Sequence, residues 1–254
     1  MSFQRVVFYT MQNHLHFDSI NSTNAYLKHL VETSDNTLEA FFTITAGKQE
    51  HGRGRQQKSW ESEEDKNLLM SILLYPTYSP QKQFYVCRIV SLAVAEFLTK
   101  RIKIENVYIK YPNDIYIGNK KAAGILLEHS LRENKINYTI AGIGLNVNQA
   151  VFPENLPNPT SIFLETNSEF PPFFCMEKIV KNIKEISTYS SAVLEQQYEQ
   201  FLYKKNEFSF FLIPQQSAIP IEAKIVGVTA NGLLHLTDKE NHSFFCNLNE
   251  IRYL

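Results

Sequence analysis

Between Val107 and Val147 the chain carries four β-rich runs in close succession, and this cluster commits its middle to a sheet. Val107 to Lys110 stops before Pro112, and Asp114 to Ile117 turns at Gly118-Asn119 into Lys120 to Glu128. Asn137 to Val147 follows. A two-residue loop at Gly118-Asn119 would pair Ile117 with Lys120, Tyr116 with Lys121 and Asp114 with Ala123. Asp114 and Lys121 then become diagonal neighbours on one face, about 7–8 Å apart. A gap of that size suits a charged ligand, with Lys121 toward a carboxylate or phosphate and Asp114 toward a metal or hydroxyl. The same residues also suit a surface hairpin with solvated charges, and a three-residue loop would change the pairing.

Helical and strand signals flank this cluster. His14 to Phe17 alternates as a short strand. Ser22-Thr23-Asn24 supplies capping residues before Ala25, Tyr26, Leu27, Leu30 and Val31, whose spacing predicts a helix from about Thr23. Phe41 to Thr45 is β-rich and ends at Ala46-Gly47, and Asn67 to Tyr75 is a buried-strand run stopped by Pro76. Gln83 to Arg101 and Phe173 to Phe201 each have the periodicity of one helix, while Phe152 to Pro172 has the Pro, Asn and Thr content of a loop. After Pro214 come short strands at Ile221–Val228, Leu233–Leu236 and Phe244–Leu248, around the hairpin signal Asn231-Gly232. The chain divides into a large domain, 1–213, and a small β module, 214–254. The boundary between them lies open between Phe208 and Ile221.

Composition narrows the function classes. The 25 Lys+Arg residues against 26 Asp+Glu give a net charge of −1. A chain that mainly coats nucleic acid or an anionic membrane is usually more basic. No apolar run reaches the length of a membrane span, and the N-terminus is a poor signal peptide. Cys87, Cys175 and Cys246 are far apart and form no CxxC pair. The expectation is a cytoplasmic protein with reduced thiols.

Two further segments bear on chemistry. In Gln49 to Trp60, QEHGRGRQQKSW, Gly52 and Gly54 are conformationally free, and Arg53 and Arg55 offer guanidinium groups to an anion. The bland alternative is a mobile basic turn. In Ile140 to Asn148, IAGIGLNVN, Gly142 and Gly144 leave one strand face bare, where a flat ring would lie. A bulge or close strand packing is the alternative. This GxG opens no helix and lacks a third glycine, so it is no dinucleotide fingerprint. His14 and His16 share a strand face without a third ligand, and the chain has no GxSxG, Walker A or HExxH motif.

Taken in order, DSINSTNAYL, GRGRQQKSW, NLLMS, KYPND, KKAAGILLE and GIGLNVN make the chain resemble the biotin–protein ligase family over about residues 15 to 150. The similarity is to the form without an N-terminal DNA-binding domain, because Ser22 leaves no room for one before it. The resemblance implies an α+β fold: a class II aminoacyl-tRNA synthetase-like mixed sheet with helices, plus a C-terminal SH3-like β-barrel. It implies a reaction with biotin, ATP and Mg2+ that forms biotinyl-5′-AMP. The biotinyl group then passes to a lysine of a biotin carboxyl carrier domain.

The resemblance also implies residue roles. Lys121 and Arg53 are the catalytic pair, with Lys121 neutralising the biotin carboxylate and later the α-phosphate. Ser22, Thr23, Asn24, Gln49, Gly52, Arg53, Gly54, Arg55, Lys121, Gly124, Gly142 and Gly144 surround biotin. Arg55, Lys110, Asn113, Asp114 and Asn146 meet ATP, and Asp114 is the candidate Mg2+ ligand. Tyr111 stands where the family often has Trp, and Gln56-Gln57-Lys58 replace the usual second Arg-Gly-Arg of the loop. No nucleic-acid or membrane partner is expected, and a homodimer is among the states the family adopts. The competing readings are a lipoate– or octanoate–protein ligase of the same superfamily and a non-catalytic biotin sensor.

Overall fold

The strand cluster forms one end of a large mixed sheet in the computed structural model, which describes residues 6–7, 13–35, 37–54, 59–213, 219–247 and 251–254. The eight strands are β1 (Val6–Val7), β2 (His14–Ile20), β3 (Thr43–Gln49), β4 (Leu68–Leu74), β5 (Val107–Lys110), β6 (Asp114–Ile117), β7 (Lys120–Arg132) and β8 (Lys135–Leu145). Their order is β1-β2-β3-β4-β8-β7-β6-β5. Among the described residues β2 and β3 are the one parallel neighbour pair in this sheet. Parallel strands need a crossover, and α1 (Thr23–Thr33) supplies it. The Ser22 side chain caps α1 by accepting from the Ala25 amide.

Every residue of β4 is buried, as expected of a central strand covered on both faces. Its Leu73 packs with Phe17, Leu27, Ile44 and Ile140 under α1. Its Leu68, Met70, Ile72 and Leu74 face the larger core with α2 (Phe84–Glu96) and α4 (Pro172–Ile186). α2 runs on into a wider π turn over Phe97–Ile102.

Several expectations need correction. The periodic stretch Phe173 to Phe201 is two helices, α4 and α5 (Ser191–Gln200). Ser187 and Thr188 turn their hydroxyls back onto the carbonyls of Ile183 and Glu185, and Ser190 caps α5 through the Val193 amide. Hydroxyls that compete for backbone groups end a helix without disturbing its apolar spacing. The expected loop Phe152 to Pro172 contains a short helix, α3 (Ile162–Thr166), capped by Ser161. β3 continues through Ala46-Gly47 to Gln49.

The second sheet comprises β9 (Phe208–Leu212), β10 (Ile221–Val228), β11 (Leu234–Asp238), β12 (Ser243–Cys246) and β13 (Arg252–Tyr253), in the order β12-β11-β10-β9-β13. All its pairings are antiparallel. The sheet stands where the SH3-like barrel was expected, and among the described residues no pairing joins β12 to β13. The β10–β11 turn docks on α2 and the β5–β6 turn. Arg88 of α2 is fully buried and donates to the carbonyls of Val228 and Thr229 at 2.8 and 2.9 Å, and Tyr111 donates to that of Gly232 at 2.6 Å. The three cysteines are buried, and among the described residues none forms a disulfide. No described helix is long and apolar enough to cross a membrane.

Candidate functional site

A cavity of about 510 Å³ opens on the α1 side of the large sheet. Its two ends differ in chemistry. The neutral end begins at the first turn of α1, where helix amides lack intrahelical partners. Gln49, the last residue of β3, accepts from the Thr23 amide at 2.8 Å and the Thr23 hydroxyl at 3.0 Å. Ser71 Oγ of β4 lies 2.7 Å from Thr23 Oγ1 and 2.5 Å from Asn24 Oδ1. The Asn24 amide donates to Glu128 of β7 at 2.6 Å. Ser71 and Thr23 have two hydroxyl hydrogens between them for three close oxygen–oxygen contacts. The network is therefore one donor short.

Strand register sets the floor of the cavity. Ser71 pairs with Gly142, and Gly144 pairs with Gly124 across β7 and β8. The bare face expected at Gly142 and Gly144 is occupied by this chain's own side chains. A Cβ on Gly142 would lie 2.4 Å from Asn24 Oδ1, and one on Gly144 would lie 2.4 Å from Trp60 Cε2. The flat ring in the slot is thus Trp60, the chain's single tryptophan. Its indole nitrogen is buried with no hydrogen-bond partner among the described residues.

Described residues of the stretch that ends at Trp60 pair with one another. The Trp60 amide donates to the Gly52 carbonyl at 3.0 Å, and Arg53 bridges to Ser59. Arg53 and Gly54 line the cavity, whereas Gly52 lines an adjoining hollow with Gln49, Arg53 and Trp60. Arg55, assigned to biotin and ATP by the resemblance, lies outside the described residues.

The charged end is built on β5, β6 and β7. The Gly118-Asn119 loop has two residues, with Gly118 at φ +56°, and Ile117 pairs with Lys120 and Tyr116 with Lys121 as expected. A register shift follows, so Asp114 pairs with Gly124 and not with Ala123. The expected 7–8 Å gap is absent at the charged tips: Lys121 Nζ contacts Asp114 Oδ1 at 2.8 Å. A bulge increases local twist and re-aims side chains. Lys121 Nζ also lies 5.8 Å from the Trp60 ring centroid, so the indole that covers Gly144 reaches toward the charged end.

Lys110 lies deeper. Its ammonium donates to Tyr116 Oη at 3.3 Å, and the rings of Tyr116 and Tyr253 are 4.8 and 4.7 Å away. Burial lowers its pKa, the Asp114 charge opposes that, and Lys121 and Lys204 add to the lowering. Burial, reinforced by Asp114, pushes the Tyr116 phenol up to about 12.

Asn113 and Asn146 also line the cavity, but each spends side-chain hydrogen bonding on the backbone. Asn113 donates to the Ile125 carbonyl, and Asn146 donates to that of Thr160 at 2.8 Å. The structure thus brings Ser22, Thr23, Asn24, Gln49, Arg53, Gly54, Lys110, Asn113, Asp114, Lys121, Gly124, Gly142, Gly144 and Asn146 to one cavity. Sequence reasoning gave no role to Ser71, Glu128, Trp60 or Tyr253. The first three lie inside the quoted motifs, and a lone Trp closing the GRGR segment was an available signal. Tyr253 arrives from the second sheet with no local signal.

Comparison with known proteins agrees with this architecture. Residues 16–146, more than half the chain, match the biotin/lipoate A/B protein ligase family. The bifunctional ligase/repressor BirA of Bacillus spizizenii is 32% identical over 161 residues, 63% of this chain and 49% of that protein. Its counterpart in Bacillus subtilis is 34% identical over 148 residues, covering 58% and 45%. The chain spans about half the length of these curated relatives. The biotin protein ligase from Aquifex aeolicus in complex with biotin and ATP superposes with a TM-score of 0.76 at 25% identity, covering 96% of this chain and 99% of that one. The biotin protein ligase from Leishmania major in complex with biotinyl-5-AMP shares the fold, with a TM-score of 0.63 at 18% identity over 93% and 99% of the two chains. The chain belongs to the biotin/lipoate A/B protein ligase family.

Proposed function

We propose that this chain is a biotin–protein ligase. A carboxylate oxygen of biotin attacks the α-phosphorus of Mg-ATP, the bond from that phosphorus to the pyrophosphate oxygen breaks, and biotinyl-5′-AMP forms. A carrier-domain lysine amine then attacks the biotinyl carbonyl, loses a proton, and AMP leaves. Family membership and the Aquifex aeolicus ligase solved with biotin and ATP support the reading.

The observation that carries it is the donor-short neutral network facing a pair of lysines across one cavity. A ureido ring brings two N–H donors and one carbonyl acceptor to such a network. The alkyl tail of octanoate and the dithiolane of lipoate bring no donor, so the neutral end favours biotin.

At the other end two anions must meet, and their repulsion opposes reaction unless positive charge is fixed nearby. Lys121 exchanges its Asp114 contact for the biotin carboxylate and then for the α-phosphate. Arg53 adds charge over the adenylate, and Trp60 shields the mixed anhydride from water. Lys110 meets the phosphates. Asp114, released by Lys121, would hold the Mg2+ of Mg-ATP through a carboxylate oxygen. Asn113 and Asn146 hold the cavity wall. In this reading residues 1–213 carry the chemistry, and the 214–254 unit, joined by Phe208–Leu212, walls the charged end. The enzyme works in the cytoplasm on a biotin carboxyl carrier domain and binds no nucleic acid, consistent with its net charge of −1.

The test is pyrophosphate release with Mg-ATP and biotin, lipoate or no acid, with and without a biotin carboxyl carrier domain. Biotin-dependent release with label moving to the carrier lysine is expected. Release with lipoate alone would assign the other branch of the family, and biotin binding without release would make the chain a sensor.

A further inference from the structure

Lys110 and Tyr253 share one corner of the cavity. A lysine ammonium has three hydrogens, and among the described residues Lys110 donates one to Tyr116. The rings of Tyr116, Tyr253 and Tyr203 surround it, the last at 5.9 Å, and Asp114 stands opposite it across β5 and β6.

Tyr253 belongs to β13, paired opposite Phe211 of β9, and its ring packs edge-on against Phe211 at 5.2 Å. It lines the cavity together with Ile251. Its hydroxyl is buried and has no hydrogen-bond partner among the described residues. Burial holds the phenol far above its usual pKa, so it stays protonated and remains a donor. A buried hydroxyl without a partner is a standing cost that native structures rarely carry without a reason. The ring that carries it lies 4.7 Å from the Lys110 ammonium.

We propose that Tyr253 is a phosphate-binding residue supplied by the second sheet, its hydroxyl donating to the nucleotide triphosphate that Lys110 neutralises. This rests on the ATP-dependent reading above. One polyphosphate oxygen cluster would satisfy both groups and turn the orphaned hydroxyl into a charge-assisted donor. The hydroxyl is closed to water, so the long, flexible stem of Lys110 is the part that shifts to admit the phosphate. The second sheet then contributes a group that touches substrate.

Tyr253→Phe removes one oxygen and keeps the ring that packs on Phe211 and Lys110. A non-hydrolysable ATP analogue and biotin are titrated separately into the wild type and the variant by calorimetry, and thermal unfolding is followed without ligand. The expected result is a loss of about tenfold in nucleotide affinity, unchanged biotin affinity, and a melting temperature equal to or above wild type. In turnover the KM for ATP rises while kcat holds, because the contact serves ground and transition states alike. A variant that binds nucleotide as well as wild type overturns the proposal and leaves the ligase reading standing. So does one that melts earlier and loses both ligands together, which is the signature of a packing role. A wild type that binds neither ligand overturns both readings.

Discussion

The two ends of the cavity are built by different rules. At the neutral end, uncharged side chains from α1, β3 and β4 bond one another directly at 2.5–3.0 Å, with Glu128 of β7 closing the chain. At the charged end, every ammonium has an internal stand-in: Asp114 for Lys121 and tyrosine rings for Lys110. One end is arranged before ligand arrives, which lowers the cost of binding. The other holds its charges in reserve, so each cation must trade partners when an anion enters. In the proposed ligase, selection of the acid and activation of its carboxylate are thereby separated along one wall.

The largest effect should come from Lys121→Ala. Removing one charge aimed at the developing phosphorane oxygens should slow adenylate formation by on the order of 10²–10³-fold, while biotin affinity falls far less. Single-turnover formation of biotinyl-5′-AMP checks it, and full-rate formation would erase the contrast between the ends.

Acid gives the next effect. Burial, assisted by His16, lowers His14 to a pKa of about 4 in the folded chain, against 6.5 unperturbed. Between those values the unfolded chain takes a proton that the folded chain refuses. The stabilisation is present above pH 6.5 and is lost as pH falls toward 4, by roughly 3 kcal/mol in all. Urea unfolding of the wild type and His14→Gln at pH 7 and pH 4.5 measures it. Equal losses in the two proteins would remove His14 from the account.

Ser71→Ala sharpens the comparison from the neutral side. It removes the hydroxyl that makes two of the network's three oxygen–oxygen contacts, so biotin affinity should fall about tenfold with ATP affinity unchanged. Calorimetry on both ligands decides it, and a matched loss of ATP binding would mean that the two ends are one unit.

The smallest effect is optical. Trp60 is the chain's single tryptophan and spans Gly144 and Lys121. Biotin should change its emission, and Gly144→Ala, whose new methyl meets the indole, should shift the free protein's spectrum to the red. An unchanged spectrum in that variant would place the indole elsewhere.

The legible parts of the sequence were those set by local chemistry. The Ser22 cap, the two-residue Gly118-Asn119 loop and the buried run from Leu68 to Leu74 each follow from neighbouring residue types. The ordered motifs also gathered most of the candidate site. What stayed hidden depends on distant partners. The register shift between Ile115 and Tyr116 leaves no mark in KYPND or KKAAG, yet it turns a gap into an ion pair. Trp60 reaches Gly144 across a loop, and Tyr253 comes from another sheet. The break between α4 and α5 was masked because the apolar stripe of α4 gives no warning of the hydroxyl cluster at Ser187 and Thr188.

The glycine pair at the cavity floor belongs to a row that crosses the sheet, from Phe17 through Ala46, Leu69, Gly144 and Gly124 to Asp114. Each strand contributes one residue, and a one-residue slip turns a strand's whole pattern over. Descendants of this chain can therefore change length freely at Glu133-Asn134 or beyond Leu74. A single codon gained or lost within β4 or β8 would exchange Ser71 and Gly144 for bulky neighbours. Such an event would fill the cavity floor with side chains.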